Sequence, residues 1–307
     1  MKCRIERMDY FSKYAGTKVF GLTPLEHLER KLRDIGYEID ESSHTVFHDD
    51  MFYLDVFILQ KGAAVSRDMH HEIHTGHQFH NARLSVKREI NTELINKGVD
   101  ILNIHDTYID ATVHIEPGTV IQPNSHIRGN TTIGADCVIG PDTMIENCTI
   151  GDHCEVIKSV TKDSILGNNC SVGPFAHIRP GNNIGNSVKV GAYAEVKNSV
   201  IHDKTNLSHL VYVGDSDIGR NCNMSCGVIT ANYDGRTKSR TVVKDNAFIG
   251  CNSTLIAPVT IEKDAYVAAG STITDDVGEG DLAIARQRQV IKEKWVIEKG
   301  RKRSEKP

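Results

Sequence analysis

The chain has 307 residues, 39% of them hydrophobic but only 6% aromatic, and a formal net charge of −4. That length has room for more than one domain, and that charge gives no general pull toward nucleic acid or an anionic membrane surface. No apolar run is long enough to span a bilayer, and the N-terminus lacks the apolar core of a signal peptide, so a soluble cytoplasmic protein is expected.

Residues 1–79 carry no repeat and read as a small α+β domain. Thr23 to Gly36 predicts an amphipathic helix, with Thr23 as N-cap, Pro24 at the first helical position and Gly36 as the stop. Leu25, Leu28, Leu32 and Ile35 line its apolar face. Met51 to Gln60 is apolar enough for a buried strand. His70, His71, His74, His77 and His80 then crowd together, but they do not form the HExxH zinc motif. His70 and His74 have one-turn spacing, yet Gly76 is expected to end any helix, so a solvated linker is favoured over a metal site. Residues 80–108 form a linker helix and entry segment. Its helix, Asn81 to Gly98, is capped by Asn81 and stopped by Gly98.

A fixed beat begins at residue 109. Ile109, Ile115, Ile121, Ile127, Ile133, Ile139 and Ile145 stand six apart. The spacing returns at Val172, Ile178, Ile184, Val190 and Val196, and again at Ile249, Leu255, Ile261, Val267 and Ile273. A hexapeptide period predicts a parallel β-helix, each unit being one short strand and one corner. The aliphatic residues point inward, Gly, Asn and Asp turn the corners, and stacked coils share one core. Low aromatic content suits that narrow interior. Of eight cysteines, Cys137, Cys154 and Cys222 hold the small position of their repeats and read as core filler; no CxxC pair suggests metal. The coil is expected over 109–278. Its spacing breaks at 199–217, and a polar insertion spans 228–247. Residues 279–307 form a charged tail, in which Val290 to Lys299 can make one helix.

Residues one coil apart are adjacent although about eighteen apart in sequence. Arg179 and Lys197 have that separation, so they can hold one anion from the same face. His209 shares the irregular SHLVYVGD stretch with Tyr212 and is the natural acid/base candidate. Glu195, Asn223, Asn232, Tyr233 and Lys238 lie within neighbouring coils.

The segments VGPFAHIRPG, VGAYAEVKNSVI, SHLVYVGDSDIG, ITANYDG, FIGCNSTLIAPVTI, AAGSTIT and LAIARQRQ carry a closer likeness. Over residues 81–290 the chain resembles the acetyltransferase half of the bifunctional N-acetylglucosamine-1-phosphate uridyltransferase/glucosamine-1-phosphate acetyltransferase family, in its Gram-positive forms. The resemblance implies a mainly β fold, a left-handed parallel β-helix, with the small α+β domain and linker helix before it. It also implies a homotrimer with active sites between subunits. The left hand comes from the resemblance alone, since ordinary parallel crossovers are right-handed.

The resemblance further implies acetyl transfer from acetyl-CoA, a co-substrate, to glucosamine 1-phosphate, with no metal required. That reaction makes a precursor of UDP-N-acetylglucosamine and the cell wall. His209 matches the general base, Glu195 a residue that orients the amine or its neighbours, and the Tyr233 N–H an oxyanion donor. Arg179, Lys197, Tyr212 and Lys238 match ligands of the sugar phosphate; Asn223 and Asn232 match sugar contacts. Cys226, Cys251, Ala269 and Arg286 match positions along the CoA arm. The glycine-rich nucleotide loop is absent, so uridyltransferase activity is not expected. Segment 18–36 only faintly resembles the first helix of sugar nucleotidyltransferases, which leaves residues 1–79 as a degenerate remnant or an unrelated domain. Met224 and Ser225 stand where relatives usually carry Ile-Gly, and Val228 where Thr is usual. Two alternatives stay open: an acetyltransferase for another amino sugar or a nucleotide-linked one, and a non-catalytic trimeric scaffold.

Overall fold

The computed structural model describes residues 76–301 continuously. Before them it describes Lys2–Glu6, Glu38–Ile39, Val46–His48, Met51–Phe52, His71–Glu72 and residues 26, 29, 30 and 33. Of the predicted helix Thr23–Gly36, the four described residues are helical. Of the predicted strand Met51–Gln60, Met51–Phe52 is a strand. The rest of both, with His70 and His74, lies outside the described residues.

From Asp100 to Ala283 the chain winds into a parallel β-helix with three sheets of ten, nine and eleven strands. Each strand is two to four residues long and pairs with the strand one coil on. In the ten-stranded sheet Ile109, Ile127, Ile145, Thr161, Ile178, Val196 and Val213 stack in register, and each is fully buried. All the aliphatic residues of the three regular blocks lie in this core. The beat is six because a side needs one inward residue per strand and a tight corner between strands.

The expected break at 199–217 is not a break in structure. Strands Val200–Ile201, Asn206–Leu207, Tyr212–Gly214 and Ser216–Ile218 continue the coil, with Ile201, Leu207, Val213 and Ile218 buried. The steps from Val196 to Ile201 and from Val213 to Ile218 each take five residues, so a strict six-residue template loses phase. The insertion is also narrower than expected. Ile229–Ala231 and Thr241–Val243 are ordinary strands, and only 232–240 leave the coil. The coil runs past residue 278, because Leu282–Ala283 pairs with Tyr266–Val267.

One corner explains much of the polar sequence. Asn147, Asp163, Gly181, Asn198 and Asp215 stack there with φ of 52°, 42°, 88°, 46° and 48°. Left-handed backbone is least costly for Gly, Asn and Asp. The stacked amides and carboxylates also bond to one another: Asn147 Nδ2 donates to Asp163 Oδ1 at 3.2 Å and Asn198 Nδ2 to Asp215 Oδ1 at 2.5 Å. Inside another corner, the Cys154 N–H donates to Cys137 Sγ at 3.3 Å and the Cys170 N–H to Cys154 Sγ at 3.4 Å. Burial pushes the Cys148 and Cys222 thiols up to about 11, which marks them as inert packing groups.

A helix, Gly76–Asn96, closes the first end of the prism. It begins five residues before the expected Asn81, because Gly76 opens it rather than ending one. Glycine is tolerated at a helix start, where the first N–H groups have no partner in the helix. Asn81 is therefore interior, with Nδ2 3.3 Å from His77 Nε2. Val86, Ile90 and Leu94 pack on Val99 and Ile101. Asn91 is fully buried, and its Nδ2 donates to the Ile104 and Thr107 carbonyls at 3.1 Å. Gly98, at φ 94°, stops the helix as expected, and the Val99 N–H bonds back to the Leu94 carbonyl at 3.0 Å. Arg30 ties the preceding segment to this end, donating to Glu93 Oε2 at 3.1 Å and to the Ala111 carbonyl at 2.9 Å. The tail helix is only Trp295–Glu298, because Lys294 adopts φ 51° where the expected Val290–Lys299 helix would run through it.

Candidate active site

The ten-stranded sheet carries the predicted anion ligands. His177, Glu195, Tyr212 and Ile229 form one outward column, and Arg179 and Lys197 follow the inward Ile178 and Val196. Arg179 Nη1 donates to Glu195 Oε1 at 2.8 Å. This hydrogen bond raises the Arg179 pKa further, and the Glu195 and Tyr212 charges act in the same direction. Glu195 is thus engaged with Arg179.

Lys197 meets Lys238, which the insertion delivers. The contact and repulsion between their ammonium groups hold Lys197 below the usual lysine range, and Arg179 adds to the effect. Like charges held together in this way favour an anion between them. The insertion is anchored at both ends. Asn232 Nδ2 donates to Asp215 Oδ2, and Arg240 Nη2 donates to the Ser216 carbonyl at 2.6 Å. Its tip turns on Asp234, whose carboxylate accepts from the Thr237 and Arg236 N–H groups at 2.7 Å each and from Thr237 Oγ1 at 2.9 Å. Those bonds hold Asp234 below the usual carboxylate range. Tyr233 lies exposed at this tip, its hydroxyl donating to the Gly235 carbonyl at 2.8 Å.

His209 stands at the corner before Tyr212–Gly214 and is exposed. The corner residues above it are Cys226, Cys251 and Ala269. The Gly227 N–H donates to the His209 carbonyl, Asn252 N–H to Cys226 and Gly270 N–H to Cys251, at 3.0, 2.8 and 2.8 Å. These four residues therefore form one edge of the prism. At about 4.8 Å per coil it extends about 14 Å from His209 to Ala269. Arg286 closes the line: a Cβ on Gly270 would lie 3.7 Å from its Cδ. Asn223 lies around that edge, on the eleven-stranded sheet between Asn206 and Phe248. Its Nδ2 donates to Ser225 Oγ at 2.7 Å.

The structure thus sets Arg179, Glu195, Lys197 and Tyr212 on one sheet, and the 232–240 insertion brings Asn232 and Lys238 to them. His209, Cys226, Cys251 and Ala269 line the adjoining edge, with Asn223 beyond it. Sequence reasoning missed Asp215, which is buried and accepts from both Asn198 and Asn232. Burial pulls its carboxyl upward, but those two hydrogen bonds with the Lys197 and Lys238 charges outweigh that and hold it below the usual range. Only its pairing with a lysine coil reveals it, and a Gly-Asp dipeptide otherwise reads as a turn. Among the described residues no cluster of three or more His, Cys, Asp or Glu side chains could hold a metal ion, and no helix is long and apolar enough to cross a membrane.

Residues 240–275 match the bacterial transferase hexapeptide family, and residues 104–182 match the GMPPB C-terminal domain. The bifunctional protein GlmU of Acetivibrio thermocellus is 50% identical over 229 residues, which is 75% of this chain and 50% of that protein. GlmU of Caldanaerobacter subterraneus is 52% identical over 227 residues, 73% of this chain and 50% of that protein. The chain spans about half the length of these curated relatives. A UDP-N-acetylglucosamine acyltransferase from Campylobacter jejuni aligns with a TM-score of 0.44 at 18% identity, covering 61% of this chain and 72% of that one. The hexapeptide match and the GlmU identity fit a left-handed β-helix and the resemblance read from the motifs.

Proposed function

We propose that the protein is an acetyl-CoA-dependent N-acetyltransferase acting on the 2-amino group of glucosamine 1-phosphate. One observation carries this reading: Arg179, Lys197 and Lys238 gather beside the prism edge that bears His209, Cys226, Cys251 and Ala269. The cations suit a phosphate, and the edge of small side chains suits an extended thioester arm. Identity to bifunctional GlmU proteins supports an amino-sugar phosphate as acceptor.

The chemistry follows from the groups present. The ammonium form of the sugar has no lone pair, so it first releases one proton to water and reacts as the free amine. His209 takes a second proton from nitrogen as it bonds to the thioester carbonyl carbon. The Tyr233 N–H donates to the oxygen as it gains negative charge. The carbon–sulfur bond then breaks, CoA leaves as thiolate, and the His209 imidazolium returns the proton to it. Arg179, Lys197, Tyr212 and Lys238 hold the 1-phosphate, Asn223 and Asn232 the sugar hydroxyls, and Arg286 the far end of CoA. Glu195 keeps Arg179 extended toward the phosphate.

The active unit is a trimer. Its support is a column of bulky residues at the corner beside His209. Phe175, Tyr193 and Leu210 are 51%, 60% and 59% exposed at φ of 61°, 58° and 53°. Bulky side chains at positive φ are strained, and exposing them has no benefit in a lone protomer. A second copy would cover them and complete the site.

The second reading keeps the mechanism and changes the acceptor. Ser225, in place of the usual glycine, supports it by adding a hydroxyl beside Asn223. Thiol release from acetyl-CoA across a panel of amino sugars separates the two. Release that requires glucosamine 1-phosphate supports the first reading. Release only with a different amino sugar or a nucleotide-linked one selects the second. No release with any acceptor sinks both and leaves the scaffold.

A further inference from the structure

Asp215 has no part in the chemistry above, yet it is the carboxylate on which the site's cations and one sugar contact converge. It is 7% exposed at a left-handed corner. Asn198 Nδ2 and Asn232 Nδ2 both donate to it, and the Thr241 N–H donates to its backbone carbonyl at 3.3 Å. Asn232 and Thr241 bracket the 232–240 excursion, so Asp215 holds both ends of the loop that delivers Lys238. It also faces Lys197, which carries Lys238 and Arg179 as repelling neighbours.

The geometry points to Asp215 as a positioning residue that sets acceptor binding by holding Asn232 and balancing the Lys197–Lys238 pair. It touches no substrate and acts through those three side chains. Without its charge, Lys197 meets Lys238 and Arg179 uncompensated and gives up its proton more readily. Its Asn232 partner then also loses a fixed acceptor. The role in acceptor binding rests on the acetyltransferase reading; the effect on Lys197 does not.

Asp215→Asn is the test, because it removes charge and keeps shape. Asparagine suits this backbone, since Asn147 and Asn198 occupy the same corner at φ of 52° and 46°. Asp163→Asn is the control. It lies at the same corner, about 14 Å away, and accepts from Asn147 at 3.2 Å. Two readouts apply. In lysine-labelled apoprotein, NMR titration should show Lys197 losing its proton at lower pH in Asp215→Asn and unmoved in Asp163→Asn. In the acetylation assay, KM for glucosamine 1-phosphate should rise at least tenfold in Asp215→Asn with kcat within about threefold. The alkaline limb of the KM profile should also move to lower pH. An unmoved Lys197 titration overturns the inference whatever the enzyme acts on. A normal KM in a protein that acetylates glucosamine 1-phosphate overturns it too. If the titration moves while no amino sugar is acetylated, the electrostatic role stands and the acetyltransferase reading fails.

Discussion

The side chains of the site are held by neighbours, and each hold predicts a phenotype. Ser225 accepts from Asn223 at 2.7 Å while itself buried, so it fixes which way that amide faces. Ser225→Ala should raise KM for the amino-sugar phosphate about threefold to tenfold, a loss of about one hydrogen bond, with little change in kcat. An unchanged KM would show that Asn223 needs no such support. Asp215 also leaves a mark on stability. Its folded pKa is depressed, so its contribution is complete above the ordinary carboxylate value and is lost as pH falls through the folded one. Wild type should therefore lose stability more steeply than Asp215→Asn below about pH 4 in acid denaturation. Equal slopes would contradict the assignment. Arg179 and Lys197 were legible in the sequence because eighteen residues separate them in a coil of eighteen. Asp215 was not, although it too stands eighteen residues after Lys197, because its corner looks like any Gly-Asp turn.

At the scale of the single strand and corner, one inward residue and one left-handed or glycine corner suffice to build the coil. Regular spacing made the core readable down to individual positions such as Ile127 and Ile178. The five-residue steps after Val196 and Val213 hid a regular coil behind an apparent break. The insertion looked wider than it is because Ile229–Ala231 and Thr241–Val243 lack the repeat's aliphatic spacing yet still pair in register. Gly191 shows how tight a corner can be. A Cβ there would lie 1.6 Å from the Ser208 carbonyl oxygen of the next coil. Gly191→Ala should destabilise by about 1–3 kcal/mol or more through forced backbone displacement, read as a lower denaturation midpoint. Ile178→Ala, a cavity in the stacked core, should cost about 2–5 kcal/mol by the same measurement. A neutral outcome for either would mean that the coils are looser than their register implies.

In the whole molecule, a capped prism sets its working groups along one edge and one adjoining sheet, and exposes bulky corners beside them. The capping helix is the part the sequence placed least well. Its N-terminal turn, His77 to His80, has Phe79 as its lone apolar residue, too little for a helical period, and Gly76 reads equally as start or stop. If a second and third copy cover Phe175, Tyr193 and Leu210, sedimentation should give three times the 34.0 kDa chain mass. Tyr193→Asp should shift that toward the single chain, and a wild-type mass of one chain would remove the trimer. The central claim is that an imidazole at this edge drives acyl transfer to an amine held by the neighbouring cations. The most direct measurement is the steady-state rate of thiol release from acetyl-CoA with glucosamine 1-phosphate, wild type against His209→Ala. The account predicts a kcat fall of about a hundredfold to ten-thousandfold in a normally folded variant. A His209→Ala protein that releases thiol at the wild-type rate would contradict it.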